Sequence, residues 1–163
     1  LSTKQLKNRI LLAHPTYNAQ SLDQVEGIEG MWKQITIGSA VMGLASALHI
    51  AVLVTMISLL QRLADQFGNA GWAMVIVAFA AILLGHTLQV WIWALALKLF
   101  TSIESLEDAV YFALVTSTTL GYGDVTLERK WRLFGAMAAV NGLLTFGLST
   151  AFLLEVFAKV YGS

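Results

Sequence analysis

Three long runs without a charged residue set the strongest limit on what this chain can fold into. They cover residues 34–61, 66–97 and 133–154. Each exceeds the ~20 residues that a helix needs to cross ~30 Å of hydrocarbon. A backbone surrounded by lipid must satisfy its own hydrogen bonds, which favours helices over open sheets. The runs therefore predict an all-α integral membrane protein with transmembrane helices at about 35–61, 72–100 and 132–160, preceded by a polar tail over 1–34.

The composition excludes several other classes of protein. The chain is 57% hydrophobic and 12% charged, whereas a soluble domain usually has ~25% charged residues. Ten acidic residues balance ten basic ones, so no basic surface suggests nucleic acid. No cysteine is present, which excludes disulfides and thiolate metal sites. We expect no enzyme, no organic cofactor, no nucleic-acid partner and no small-molecule substrate, because no nucleophile–base pair, nucleotide loop or metal cluster appears.

A fourth apolar stretch, residues 109–123, is too short to span the membrane as a helix. Stretches of such length are typical of re-entrant or interfacial segments. Ser105 precedes the stretch and Asp108 follows three positions later. This spacing is similar to a capping box, with Asp in place of Glu or Gln. We predict a short helix over 106–117 that begins at this cap and ends within the membrane.

The run TTLGYGD, residues 118–124, follows that short helix. The chain must return through the membrane here without helical hydrogen bonds, which is tolerated only inside protein or along a watery path. Gly121 and Gly123 permit positive φ, so successive carbonyls can point in one direction. A dehydrated cation is a good partner for such carbonyls, and potassium-channel filters use four loops of this kind. The alternative is an ordinary hairpin between two helices.

The run TTLGYGD resembles the filter signature of potassium channels, with Leu120 where valine is common. Upstream, YFALVTST resembles their pore helix; downstream, NGLLTFGLSTAFLLEV resembles their inner helix. Residues 72–160 therefore resemble a potassium-channel pore domain, with an outer helix 72–100, pore helix 106–117, filter 118–124 and inner helix 132–160. The resemblance implies a homotetramer in membrane lipid that conducts K⁺. It also implies the plasma membrane, or the inner membrane if the source is a bacterium.

The resemblance also implies roles for residues in and around the filter. Asp124 should lie at the outer mouth, where it either braces the filter or attracts cations. Val115 stands where some relatives have a Glu bonded to that aspartate, so no brace is expected from this position. Two pore-helix aromatics should pack against Tyr122 and keep the ring of carbonyls open. The expected ion-binding residues are Thr119, Leu120, Gly121, Tyr122 and Gly123, and the expected supporting residues are Tyr111 and Phe112.

The inner helix is expected to line the cavity and form the gate. Gly142 occupies the hinge position of the family, and residues four apart share a helix face. Phe146 and Leu154 are expected to form a hydrophobic gate that dewets. The expected cavity and gate residues are Gly142, Leu143, Phe146, Thr150, Leu154 and Glu155. Glu155 either concentrates cations or extends to the interface, and Asn141 either faces the cavity or bonds a neighbouring helix.

The first helix, 35–61, lies outside the resemblance. It lacks the repeated arginines of a voltage sensor, and we expect neither a voltage sensor nor a cytosolic ligand domain in this chain. Small residues recur every fourth position at Ser39, Gly43, Ala47 and Ala51. Such a stripe favours close packing of helices in membranes. We predict that this face docks on the second helix, outside the pore domain.

Two histidines fall near the middle of predicted spans. His49 lies in the first helix and His86 in the second, so antiparallel packing would place them at similar depth, with Gln89 on the face of His86. Ionisable groups inside membranes are functional hypotheses by default. Either each histidine is neutral and separately hydrogen-bonded, or a His49–His86 contact tunes the response to pH or lipid.

Topology and selectivity leave alternatives open. A filter that enters from outside places the N-terminal tail outside, whereas the basic residues of that tail favour the inside. We give the filter more weight; a first helix that does not span, or missing upstream sequence, would also resolve the conflict. A less selective cation channel and a non-conducting channel-like subunit are the alternative functions. The sequence does not indicate the gating stimulus.

Overall fold

The computed structural model describes residues 19–67 and 71–161, with side chains described at 27–62 and 71–161. It contains four α-helices, α1 (Ala19–Phe67), α2 (Gly71–Phe100), α3 (Leu106–Ser117) and α4 (Arg132–Tyr161), and one 3₁₀ turn at Arg129–Trp131. No strand occurs in these residues. Three of the helices are long and apolar enough to cross a membrane. The predicted all-α membrane fold is confirmed.

Helix α1 is longer than the predicted first helix. It begins at Ala19, so the second half of the expected polar tail is helical, while residues 1–18 lie outside the described residues. No proline occurs after Pro15, so nothing interrupts backbone hydrogen bonding through this part. The segment apolar enough to span is Gly27–Arg62. At ~1.5 Å per residue the whole helix is about 73 Å long, more than the membrane requires.

The three long helices, α1, α2 and α4, run in alternating directions. Gln34 of α1 contacts Leu133 of α4, and His49 contacts Ser149, so α1 and α4 are parallel. The first half of α2 packs with the second half of α1, so α1 and α2 are antiparallel. Helix α4 starts just after the TTLGYGD loop. The N-terminal end of α1 therefore lies on the same side as the outer end of that loop, as the filter argument required.

The expected packing face of α1 was wrong. Its small residues Ser39, Gly43, Ala47 and Ala51 are exposed. Helix α1 packs on α4 as well as on α2, through a different stripe. That stripe carries polar side chains, which are costly to expose to lipid and find partners on α4. It lies nearly opposite the expected face, roughly 150° around the helix. Within residues 27–62, the part of α1 whose side chains are described, the buried residues are Gln34, Gly38, Ala45, His49, Leu53 and Leu60.

The core consists of two apolar clusters separated by polar side chains. One cluster lies near the loop and includes Trp93, Trp131 and Phe134. The other lies toward the opposite end and includes Leu60 and Phe152. Between them, the three long helices carry buried and half-buried polar side chains over about two helical turns, ~12 Å along the helix axes. We call this set the polar layer, and its members are Ser46, His49, His86, Gln89, Asn141 and Ser149.

Candidate functional site

Helix α3 carries the TTLGYGD loop and is fixed at both ends. The backbone N–H of Asp108 donates to the Ser105 hydroxyl at 2.8 Å, so the predicted N-cap is confirmed. At the other end, the Thr118 N–H donates to the Leu114 carbonyl at 3.2 Å. Ala109 is fully buried in the apolar cluster of α2 and α4. The helix therefore holds the start of the loop in a defined position within the protein.

The backbone of the loop alternates in handedness. Thr119, Gly121 and Gly123 have φ of 60°, 51° and 81°, whereas Leu120 and Tyr122 do not have positive φ. Left-handed conformations are easy for glycine and cost energy for threonine. Alternating handedness is the condition under which successive carbonyls can point in one direction.

Two hydrogen bonds tie the inner end of the loop back to α3. The Thr119 N–H donates to the Thr116 carbonyl and the Gly121 N–H donates to the Val115 carbonyl, each at 3.0 Å. They satisfy carbonyls at the end of α3 that have no partner within the helix. The backbone of buried Val115 thus helps to hold the loop, although its side chain offers no hydrogen bond.

The opposite edge of the loop is exposed in a single chain. Leu120 is 55% exposed and Tyr122 is 69% exposed. Among the described residues, no ring contact joins Tyr122 to Tyr111 or Phe112. Phe112 instead packs against the cluster near the loop. The expected support of Tyr122 by these two rings is therefore not formed within one chain.

Tyr111 bonds the outer end of the loop. Its hydroxyl donates to a carboxylate oxygen of Asp124 at 2.6 Å, and the Val125 N–H donates to the other oxygen at 3.0 Å. The hydrogen bond from Tyr111 lowers the pKa of Asp124, because it stabilises the charged carboxylate. Tyr111 thus braces Asp124. It lies one helical turn before Val115, and Val115 is the position from which no brace was expected.

Gly142 is the contact point between α3 and α4. A Cβ on this residue would lie 2.1 Å from the carbonyl oxygen of Ser117, the last residue of α3. No side chain fits at that distance, so only glycine allows the two helices to approach this closely. The expected hinge residue therefore faces α3 and is buried.

The other expected cavity and gate residues differ in their contacts within a single chain. Phe146 stacks on the ring of His86, with centroids 4.3 Å apart. Glu155 forms an exposed ion pair with Lys159 at 3.4 Å. The remaining expected residues, which are all exposed in a single chain, are Leu143, Thr150 and Leu154.

Asn141 bonds two neighbouring helices. The indole N–H of Trp93 in α2 donates to its side-chain oxygen at 2.8 Å. Its amide nitrogen donates to the Ser46 hydroxyl of α1 at 2.7 Å. Asn141 is fully buried, so the second of our two expectations for this residue holds. The part played by Ser46 was not expected from the sequence.

The two histidines are in contact. The rings of His49 and His86 have centroids 4.6 Å apart. Both Nε2 atoms reach the hydroxyl of Ser149 on α4, at 2.9 Å and 3.2 Å. Gln89 is buried in the same layer. Ser149 was missed, although the polar residues Asn141, Thr145 and Ser149 recur every fourth position and would have marked this face of α4.

A second unexpected contact caps α4. The side-chain oxygen of Gln34 accepts hydrogen bonds from the backbone N–H groups of Leu133 and Phe134, at 3.1 Å and 3.3 Å. These groups belong to the first turn of α4 and have no partner within the helix. Helix α1 is thus joined to α4 at three levels, through Gln34, Ser46 and His49.

Comparison with known proteins adds to this geometry. Residues 72–159 match the family described as "Ion channel". Over 62 residues, 37% of this chain, the sequence is 31% identical to "Potassium voltage-gated channel protein Shal" of Drosophila melanogaster, covering 11% of that protein. It is 34% identical over 62 residues, again 37% of this chain, to human "Potassium voltage-gated channel subfamily A member 4", covering 10% of it. The chain thus spans about a tenth of these relatives. No solved structure matches it.

Proposed function

The chain belongs to the ion channel family, and we propose that it forms a K⁺-selective pore that conducts K⁺ passively across the membrane. The alternating backbone of residues 119–123 carries this proposal. The named relatives are potassium channels, which supports the choice of K⁺. The permeant ion would be held by the carbonyls of Thr119, Leu120, Gly121 and Tyr122 and by the Thr119 hydroxyl, with Gly123 completing the turn to the outer mouth.

Four copies of the chain are needed in this proposal. One loop supplies one side of an ion's coordination shell, whereas a filter replaces the whole hydration shell with a ring of carbonyls. Closed symmetric assemblies are the usual form of such oligomers. The exposed side chains of Leu120 and Tyr122 are consistent with a partner on that side. We propose that Tyr122 packs on Tyr111 and Phe112 across the contact between copies.

The two ends of the proposed pore have different chemistry. At the outer mouth, the Asp124 carboxylates would attract cations while Tyr111 holds them in place. Toward the inner end, we propose that exposed Leu143 and Thr150 line the cavity and that Leu154, with Phe146, forms a hydrophobic constriction. Glu155 would lie at the inner mouth. Gly142 has no side chain to offer the cavity, and its part is the contact with α3.

Reversal potentials test the proposal directly. The purified protein is reconstituted in liposomes with K⁺ on one side and Na⁺ on the other. We expect a large shift that favours K⁺ in the wild type and loss of this selectivity in Gly121→Ala. Alanine at φ of 51° costs roughly 1–2 kcal/mol in each copy, and the strain falls on the carbonyls that would contact the ion.

Gly43→Ala is the matched control, because this helical glycine has open space around it and no positive φ. We expect the control to keep the reversal potential of the wild type. A wild-type reversal potential near zero would indicate the less selective cation channel instead. Absence of current from folded tetramers under changes of pH and tension would indicate the non-conducting subunit.

A further inference from the structure

Three transmembrane helices each place one polar side chain at a single point in the polar layer. His49 comes from α1, His86 from α2 and Ser149 from α4, with the Ser149 hydroxyl between the two imidazoles. Each residue lies near the middle of its apolar span. His49 is fully buried, and its ring lies against Gly85 of α2. We call these three residues the histidine cluster.

The hydrogen bonds of the cluster use both the hydrogen and the oxygen of the Ser149 hydroxyl only when both histidines are neutral. A serine hydroxyl has one hydrogen to donate. One imidazole must therefore accept that hydrogen at Nε2, while the other donates its Nε2–H to the serine oxygen. If the accepting ring takes up a proton, both rings donate to the serine oxygen, and the hydroxyl hydrogen loses its acceptor within the cluster. The cluster then holds a positive charge and a displaced hydroxyl hydrogen.

Among the side chains that the structure describes, no charged group is positioned to neutralise a protonated ring. Helix α1 has no other ionisable residue between Lys33 and Arg62, and α4 has none between Arg132 and Glu155. Helix α2 has none but His86 between Gly71 and Lys98. The residues of α3 that face the cavity beside His86 are not titratable: Val110, Leu114 and Ser117.

The far side of His49 adds to the cost of a positive charge. Its Nδ1 has no hydrogen-bond partner among the described residues. A protonated His49 would therefore bury an unsatisfied N–H in addition to an uncompensated charge. Two protonated rings would also repel each other, since their centroids are 4.6 Å apart. The packed arrangement is thus the arrangement of the neutral cluster.

We propose that the histidine cluster is a proton sensor that acts on α4, a proposal that rests on the proposed channel function. In the neutral form, Ser149 ties α4 outward to α1 and α2. Proton uptake puts an uncompensated charge at this buried site. The site opens to hydrate the charged ring, which releases Ser149 and leaves the inner half of α4 free to move toward the pore axis. The new positive charge behind the lining helix also repels K⁺. Both effects lower K⁺ flux in acid.

The first test is K⁺ flux from liposomes near pH 7.5 and near pH 4. The acidic point lies well below the ordinary histidine range, because the packed site disfavours the charged rings. We expect about fivefold lower flux at the acidic pH, since losing one hydrogen bond of ~1 kcal/mol changes an equilibrium by about that factor. His86→Gln and His49→Gln keep a hydrogen-bonding side chain that does not titrate. Both should hold their flux in acid.

His14→Gln is the matched control, because it removes the third histidine of the chain, elsewhere in the sequence. It should retain the acid response of the wild type. Carboxylates of the pore are the same in all four proteins, so the difference between wild type and variants isolates the histidines. An acid response that persists in both histidine variants would overturn the proposal, as would wild-type flux that is equal at both pH values.

A second measurement does not depend on conduction. The chain has no cysteine, so spin labels can be attached at Thr55→Cys on α1 and Ala158→Cys on α4, both exposed and both beyond the cluster toward the inner end. Labelled chains are diluted with unlabelled ones, so that each distance arises within one chain. We expect the distance to increase at the acidic pH, and to stay constant when His86→Gln is added.

The two measurements separate the sensor from the channel. Absence of flux at both pH values, with an acid-dependent distance, would contradict the channel function and support the sensor. Flux without any change in flux or distance between the two pH values would support the channel and overturn the sensor.

Discussion

The filter loop and the polar layer both place polar groups at membrane depth, but they satisfy them differently. In the polar layer, Asn141 bonds Ser46, and Trp93 of the adjoining apolar cluster extends this to a continuous chain of hydrogen bonds inside one subunit. In the loop, the backbone alternates around an edge where Leu120 and Tyr122 are exposed. Lipid does not tolerate irregular backbone on its surface. Most polar groups of the polar layer are thus satisfied within one chain, whereas the loop has an exposed edge that our proposal fills with further copies and an ion.

The largest expected effect is at the junction of these two regions. Gly142→Ala would place a Cβ 2.1 Å from the Ser117 carbonyl oxygen, so α3 must move away from α4 and carry the start of the loop with it. Forced overpacking costs ~1–3 kcal/mol and occasionally more, here in every copy. We expect loss of K⁺ conduction and of stable tetramers, measured by flux and by size-exclusion chromatography after mild heating.

The same helix provides the control. Gly147 has no atom near the position of a Cβ, so Gly147→Ala should assemble as the wild type does. If Gly142→Ala assembled and conducted as well as Gly147→Ala, α3 and α4 would be further apart than this structure has them, and the loop would not depend on their contact.

The sequence alone was sufficient to predict where the membrane spans lie and which backbone conformation the loop adopts. Runs without charge predicted the spans, and the cap at Ser105 predicted the start of α3. These features depend on local hydrophobicity and on hydrogen bonds between near neighbours in the chain. The same holds for the alternating backbone at Gly121 and Gly123, because glycine itself permits positive φ.

The sequence was not sufficient for the lateral packing of α1. Its small-residue stripe suggested one face, but Gln34 and His49 have partners about 100 positions away on α4. A few hydrogen bonds between distant residues decide the rotation of a helix whose apolar surface is nearly uniform. For the same reason, the position of Ser149 between two histidines could not be predicted from either histidine alone.

A smaller effect is expected within the polar layer. Asn141→Ala removes two hydrogen bonds and leaves the indole N–H of Trp93, a residue 1% exposed, without its partner. An unsatisfied buried donor costs ~1–3 kcal/mol, and measured bonds between membrane helices lie near the lower end. We expect unfolding in a detergent titration to become easier by about 1–2 kcal/mol, with the K⁺/Na⁺ reversal potential unchanged in the protein that remains folded.

Ser46→Ala is the graded control for this prediction, because it removes only the bond to Asn141 and should cost less than Asn141→Ala. Altered ion selectivity in folded Asn141→Ala would contradict the separation of the two regions, since damage to the polar layer would then extend to the filter loop.

The smallest expected effect is at the outer end of the loop, where Tyr111 donates a solvent-exposed hydrogen bond to Asp124. This bond lowers the pKa of Asp124. As the pH falls, the carboxylate therefore stays charged at pH values where an ordinary aspartate would already be protonated. Tyr111→Phe removes the donor and raises the pKa toward its ordinary value. We expect the loss of current on external acidification to begin at higher pH in the variant, measured as single-channel current.

The measurement is made in the His86→Gln background, so that the histidine cluster does not contribute, and Asp124→Asn gives the profile of a mouth without this charge. Since both partners are accessible to water, which competes for the bond, selectivity at neutral pH should not change. Identical acid profiles with and without Tyr111 would mean that water or a neighbouring copy holds Asp124. The outer end of the loop would then depend, as its exposed edge does, on contacts beyond its own chain.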